Sequence, residues 1–217
     1  MPKLLQNTLV VLALSISIII LAYWYIDKPM VYWAYTHQFK QYPLFDWFTR
    51  IPEILSFLVL FIYLGVTIRF CYTKLAFIDK VLLAMANSIV ISAALCRSLK
   101  IIFGRYWPAT WINHNPSLLH DNAYGFNWFQ LGKAFESFPS GHTTVICAAM
   151  ISLGLFVPKL RWLTGLIISL VMMGLIVLYY HFVSDVIAGA TLGGLTAYFV
   201  KIYHMPIKMK ETTINSN

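Results

Sequence analysis

The sequence predicts an all-α, polytopic membrane protein, a bundle of six transmembrane helices with both termini in the cytoplasm and one membrane-embedded domain over residues 1–217. Three observations carry that expectation. Charged residues make up only 11% of the chain and hydrophobic residues 59%, whereas ordinary soluble chains carry about a quarter charged residues. Mean hydropathy is +0.71, and the apolar residues gather in long blocks, as in segments whose solvent is lipid. The positive charges between those blocks are shared unevenly between two sides. A soluble domain and a disordered chain are excluded. So is a disulfide-stapled secreted fold, because Cys71, Cys96 and Cys147 are odd in number and scattered. The net charge of +8 fits anionic lipid headgroups better than nucleic acid in so apolar a chain.

A membrane-crossing helix needs roughly 20 mostly apolar residues. The first stretch, residues 8–25, follows Lys3 as a signal peptide would, but it runs long and ends in Tyr23-Trp24-Tyr25, with no small-residue cleavage site. It is read as a retained first helix. Residues 27–53 form an external segment rich in aromatic rings, which prefer the headgroup level, and it has room for a helix lying along the interface. Spans two and three are residues 54–70 and 81–103. A second aromatic-rich external segment, 104–139, leads to a short fourth span at 143–157. Spans five and six, 163–180 and 183–203, are almost contiguous. With the amino terminus inside, the cytoplasm receives Lys3, Arg69, Lys74, Lys80, Lys159, Arg161, Lys201, Lys208 and Lys210. The other side receives Lys28, Lys40, Arg50 and Lys133, with Arg97, Lys100 and Arg105 near one helix end. Cytoplasmic loops favour lysine and arginine, which sets this orientation.

Ionisable residues close to a membrane span are costly and mark candidate sites. Here they form three groups, all at the external ends of helices three to six. The first is Arg97, Lys100 and Arg105. Arg97 and Lys100 are three apart and share a helix face, and Gly104 and Pro108 mark the helix end. Converging cations suit a phosphate bound by charge-assisted hydrogen bonds, and equally suit snorkelling to headgroups. The second is Phe138-Pro139-Ser140-Gly141-His142-Thr143-Thr144, directly before an apolar helix. Glycine permits close backbone approach, and free amides at a helix start bind anions. Ser140 adds a hydroxyl and His142 a titratable proton donor, although Pro-Ser-Gly by itself is also an ordinary turn. The third runs from His181 to Gly189. If helical, it sets His181 and Asp185 one turn apart. An aspartate on one ring nitrogen fixes the tautomer and leaves the other nitrogen as a nucleophile; the plainer reading is a satisfied interfacial polar pair. All three fall on one side of the membrane in a workable order. Carboxylates are few and no His or Cys pair has ligand spacing, so no metal site is expected.

On these residues the chain resembles the type-2 phosphatidic acid phosphatases, the membrane-bound lipid phosphate phosphatases. The resemblance covers about residues 100–189, and the six-helix plan extends it to the whole chain. It implies that His181 attacks phosphorus to form a phosphohistidine, with Asp185 orienting it and His142 protonating the leaving alkoxide. Lys100, Ser140 and the Gly141 amide would hold the phosphoryl oxygens, and water would release phosphate without metal or other cofactor. Two positions depart from the pattern. Trp107 stands where the first motif has arginine before proline, and Leu175 stands where the third has arginine six residues before the nucleophile. Lys100 is then the only strict match among the family's phosphate-binding cations. Arg105 and Arg97 are the substitutes. Arg105 is expected to serve better, because it follows Gly104 at a helix end and has a planar fork to aim at two oxygens.

The expected function is metal-independent hydrolysis of a phosphomonoester or diphosphate on a membrane lipid, at the extracytoplasmic face. The lipid bilayer and the lipid phosphate are the expected partners, with no nucleic acid. Asn115-Pro116-Ser117 is blocked as a glycosylation site by its proline, in keeping with a bacterial inner membrane and a periplasm-facing site. Two alternatives stay open: transfer of the phosphoryl group to a lipid hydroxyl, and a non-catalytic lipid-phosphate-binding protein, motivated by Trp107 and Leu175.

Overall fold

The computed structural model describes residues 3–204; Lys208 and Lys210, used in the sidedness argument, lie outside them. Among the described residues the regular structure is helical. In chain order it comprises α1 (Lys3–Tyr25), α2 (Asp27–Thr36), α3 (Pro43–Tyr72), α4 (Phe77–Phe103), α5 (Leu118–Asp121), α6 (Gly141–Phe156), α7 (Arg161–Val177) and α8 (Val183–His204). The all-α class is as expected. Among the described residues, five helical segments are long and apolar enough to cross a membrane. The sixth expected span, α6, has 16 residues, a length of about 24 Å.

α6 is the centre of the bundle. It is apolar on every side, the pattern of a helix enclosed by protein, and it packs against α8, α4, α7 and α3. Lipid tails are as apolar as leucine, so close van der Waals packing and interhelical hydrogen bonds must hold such a bundle together. Two glycines of α8 permit that closeness. A β-carbon at Gly189 would sit 2.5 Å from the Ser140 carbonyl oxygen, and one at Gly193 would collide with the Thr144 carbonyl. A buried bond of 2.7 Å between the Ser88 and Ser152 hydroxyls ties α4 to α6, worth roughly 1 kcal/mol. Val81, Ile89, Ile146, Ala149, Val171 and Leu175 fill the core between these helices. Leu175 is wholly buried there.

Several boundaries differ from the hydropathy reading. α3 starts at Pro43 rather than at 54 and runs for 30 residues, about 45 Å. That is longer than the ~30 Å of hydrocarbon requires, and its first turns carry polar residues of the segment expected to be interfacial. Within 27–53, the short helix is α2. α7 ends at Val177, before Tyr180. The chain then turns through Tyr179, in a left-handed conformation (φ 46°), and α8 begins at Val183. His181 thus lies in the connection and not one helical turn behind Asp185 as expected. Phe182 docks against Val31 and Ala34 of α2 and against Leu118, which fixes the connection from outside.

Candidate active site

His181 and Asp185 meet despite the altered secondary structure, because Asp185 lies in the first turn of α8 and His181 in the connection that leads directly into it. Asp185 is the third residue of the helix, and its Oδ2 accepts from the Phe182 backbone amide at 3.0 Å, as an acidic residue does in a capping box. The same oxygen accepts from Ser137 Oγ at 2.7 Å. Oδ1 accepts from Arg105 Nη1. The carboxylate is fully buried and held at both oxygens. His181 Nδ1 lies 3.5 Å from Oδ2, without hydrogen-bond geometry. That is longer than the usual ~2.9 Å, and such catalytic contacts often tighten only when substrate is bound.

The His181 ring is 4% exposed. Burial pushes its pKa down to about 4, with Asp185 pulling the other way. The imidazole is therefore neutral at pH 7, the form in which a ring nitrogen carries a nucleophilic lone pair. Trp107 packs over it with ring centroids 5.1 Å apart, and the His142 ring lies 6.4 Å away.

These rings border a cavity of about 1120 Å³, lined among others by Arg97, Lys100, Trp107, Gly141, His142 and His181. Lys100 donates to the Glu136 carbonyl and lies beside the start of α6, with its Cε 3.8 Å from where a Gly141 β-carbon would be. The opposite wall comes from α3, through Asp46, Arg50 and Glu53. Glu53 Oε1 is 3.3 Å from His142 Nε2. Tyr180 donates to Asp46 Oδ1 at 3.2 Å, while Oδ2 accepts from Arg50 Nε and Nη2 at 3.0 and 2.8 Å.

Two expected phosphate contacts are absent from the cavity wall. Ser140 is buried, and its Oγ caps α6, accepting from the Thr143 amide at 3.3 Å and the Thr143 hydroxyl at 3.0 Å. Its own amide donates to the Asp185 carbonyl at 3.0 Å. Ser140 thus joins the starts of α6 and α8. Arg105, expected to be the main substitute cation, is completely enclosed and paired with Asp27 and Asp185. Gly104 decides its direction. The α4 helix ends there in a left-handed turn (φ 51°), and a β-carbon would overlap the Asn127 carbonyl. After the turn Arg105 points inward to α8, where a buried guanidinium needs counter-charges, and Trp107 reaches the cavity instead. The Trp107 indole donates to the Lys133 carbonyl at 2.7 Å. Arg97, expected to be the lesser substitute, lines the cavity and carries no ion pair among the described residues.

The family model described as the PAP2 superfamily matches residues 81–208. The chain belongs to the PAP2 superfamily. The match to the PAP2 model takes in Arg97, Lys100, Ser140, Gly141, His142, His181 and Asp185, and leaves out Asp27, Asp46, Arg50 and Glu53. Over 111 residues the chain is 34% identical to a lipid A 1-phosphatase of Rhizobium etli, a stretch covering 50% of this chain and 44% of that one. Over 109 residues it is 33% identical to a lipid A 1-phosphatase of Rhizobium johnstonii, covering 49% and 41%. The matched stretch is thus less than half the length of either relative. Among solved structures, the fold is similar to the crystal structure of a transmembrane PAP2-type phosphatidylglycerolphosphate phosphatase from Bacillus subtilis. The TM-score is 0.56 at 23% identity, over 94% of this chain and 96% of that one. These similarities and the apolar helices identify a multi-pass membrane protein of PAP2 fold.

Sequence reasoning missed Asp27 and the α3 residues. The spacing of Asp46, Arg50 and Glu53 was the available signal, because residues four and three apart share a helix face. It was masked by the aromatic residues around them. Nothing local marked Asp27, whose partners lie 78 and 157 residues further along the chain.

Proposed function

We propose that this PAP2 superfamily protein is a metal-independent lipid phosphatase, acting on a phosphomonoester or diphosphate of a membrane lipid through a phosphohistidine on His181. One observation carries the reading. A neutral, buried imidazole has a fixed carboxylate behind it and, in front, a cavity lined by Arg97, Lys100 and a second histidine. With Asp185 beside Nδ1, Nε2 is left to attack phosphorus. The bond from phosphorus to the lipid oxygen breaks, and His142 supplies the proton that the departing alkoxide takes up. Lys100, Arg97 and the Gly141 amide oppose the charge on the phosphoryl oxygens, which matters most in the transition state. Water, deprotonated by His142, then attacks the phosphohistidine and phosphate leaves. Glu53 steadies His142 between these steps.

The lipid A 1-phosphatase relatives make a glycolipid 1-phosphate the first substrate to try, with phosphatidylglycerol phosphate second. A cavity of about 1120 Å³ exceeds the ~300–1,000 Å³ of common small-molecule pockets and has room for a phosphorylated headgroup. The whole chain acts as one domain with six crossings and both termini cytoplasmic. The cavity lies at the start of α3, the end of α4 and the starts of α6 and α8. Alternation of the helices puts these ends on one side, and the charge bias makes that side extracytoplasmic.

The test is phosphate release by purified protein from lipid A 1-phosphate, phosphatidylglycerol phosphate, phosphatidic acid and an isoprenoid diphosphate, with chelator present. We expect turnover on at least one, lost in His181→Ala, and acid-labile label on His181. Binding without release or label, across the panel, would establish the non-catalytic reading in its place.

A further inference from the structure

Behind His181 lies a charged cluster that the mechanism above does not use. Arg105 is 0% exposed and donates through Nη2 to Asp27 Oδ2 at 2.7 Å, and through Nη1 to Ser184 Oγ at 2.6 Å and to Asp185 Oδ1. Asp27, at the junction of α1 and α2, is also wholly buried. Its Oδ1 accepts from the Ser184 amide at 2.9 Å, and its Oδ2 accepts from the Ser184 hydroxyl and from Tyr124 Oη at 3.3 Å. The Tyr124 hydroxyl is also 2.6 Å from the Tyr23 carbonyl. Rings of Phe182, Phe126, Tyr23 and Tyr124 surround the guanidinium, with centroids 4.3–5.3 Å from its carbon. No solvent reaches it.

We propose that Asp27 and Arg105 are positioning residues for the catalytic aspartate: Arg105 fixes Asp185, and Asp27 takes up enough of the Arg105 charge to leave Asp185 negative toward His181. The inference rests on the proposed phosphatase reading and adds to it a part of the chain outside the family match.

The charge count makes the argument. Within a few ångströms stand one guanidinium and two carboxyl groups; burial raises the Asp27 pKa and the Arg105 guanidinium pulls it back down, and with both acids ionised the cluster carries one net negative charge. Without Asp27, Arg105 would bind Asp185 one to one, and little negative charge would face the imidazole. Buried charges interact strongly because little solvent screens them. A simple tether between α2 and α8 would need no ions, and apolar side chains often serve as well or better. Asp27 has a second effect. By accepting the Ser184 amide it satisfies a free donor in the first turn of α8, as Asp185 does for Phe182. Two acids therefore hold the helix start that carries the nucleophile, one from within the helix and one from the far end of the sequence. The groups facing His181 are Asp185 from α8, Lys100 from α4 and His142 from α6. Only the first touches the cluster, so the effect of Asp27 must pass through Asp185.

The experiment compares wild type with Asp27→Asn and Arg105→Lys in detergent, by kinetics on the substrate found above and by nitrogen NMR of labelled histidine. In Asp27→Asn we expect kcat to fall roughly 10–100-fold, the scale on which losing the hydrogen-bond partner behind a metal-binding histidine acts, with KM within about threefold. The His181 titration should move to lower pH, because Arg105 then opposes Asp185 alone. A merely structural Asp27 would lower yield and thermal stability and leave that titration unmoved. Arg105→Lys keeps the charge but has no fork to reach both carboxylates, so it should show the same kcat loss. It also decides the matter if Asp27→Asn does not fold. Unchanged kcat and an unmoved His181 titration in a folded variant would overturn the proposal. If wild type releases no phosphate from any lipid, the phosphatase reading fails while the NMR shift still decides whether Asp27 and Arg105 act on His181 through Asp185.

Discussion

The two faces of His181 use the same side-chain types to opposite ends. Behind the ring, Asp27, Arg105, Ser137, Ser184 and Asp185 are all 0% exposed, and each carboxylate oxygen has a donor. In front, Arg97 is exposed and unpaired among the described residues, Arg50 is paired only to its neighbour one turn away, and the carboxylate near His142 is 68% exposed. A charge already matched inside protein cannot answer a ligand without breaking a buried pair, which costs about 3–5 kcal/mol. A charge left in water responds freely. On the proposed mechanism the rear face holds geometry and the front face meets substrate, which gives two arginines eight positions apart in sequence, Arg97 and Arg105, different work.

The sharpest way to break this division is at the ring itself. His181→Ala should lower turnover by about 10⁴-fold or more, and Asp185→Asn by ~10²–10⁴-fold, as when the orienting acid of a catalytic histidine is lost. Single-turnover assays with trapping of the phosphohistidine would check both, and a slow but normal burst in His181→Ala would sink the assignment.

Next come the arginines. Arg105→Met should destabilise the protein by about 3–5 kcal/mol by stranding two buried carboxylates, read as a drop in Tm in detergent. Arg97→Ala should leave Tm unchanged and reduce turnover on the order of 10²-fold, as for loss of one transition-state donor. The reverse pattern would mean that the rear and front faces have been confused.

The two positions that depart from the family pattern should also part company. Trp107 borders the cavity, so Trp107→Arg should bring a cation to the front face and raise activity or widen the range of substrates hydrolysed. Leu175 is in the core, so Leu175→Arg should cost several kcal/mol of stability, since it buries a charge with no partner. Expression yield, Tm and turnover of both variants would settle the contrast.

The smallest effects belong to protonation. His181 is depressed to about pH 4 by burial. It stays neutral in the folded protein as pH falls, while the unfolded chain takes up a proton near 6.5. Its contribution to stability is therefore complete above about 6.5 and is lost progressively toward pH 4. For the same reason, phosphohistidine formation in His142→Ala, on a substrate whose leaving group needs no proton, should persist at pH 5. An acid limb near 6.5 in that variant would show that His181 titrates as an ordinary histidine. Glu53→Gln should change turnover only a few-fold, because an exposed pair contributes roughly 0–1 kcal/mol.

Much of this protein could be read before folding. Runs of apolar residues identify the helices, because partition into lipid depends on composition within a short window, and the uneven lysine and arginine carry the proposed sidedness. Ser140-Gly141-His142 and His181 with Asp185 were readable because each group is contiguous in sequence, and the family match bears out the resemblance they carry. The structure decided what depends on direction and distance. The turn at Gly104 sends Arg105 behind the site and Trp107 into it. Ser140 spends its hydroxyl on the start of α6, α3 begins eleven residues before its expected start and so brings Glu53 to His142, and Asp27 closes a charge cluster with partners far along the chain. The physical reason is that hydropathy and motifs are local properties of a chain. Which buried charge finds which counter-charge depends on how helices distant in sequence pack.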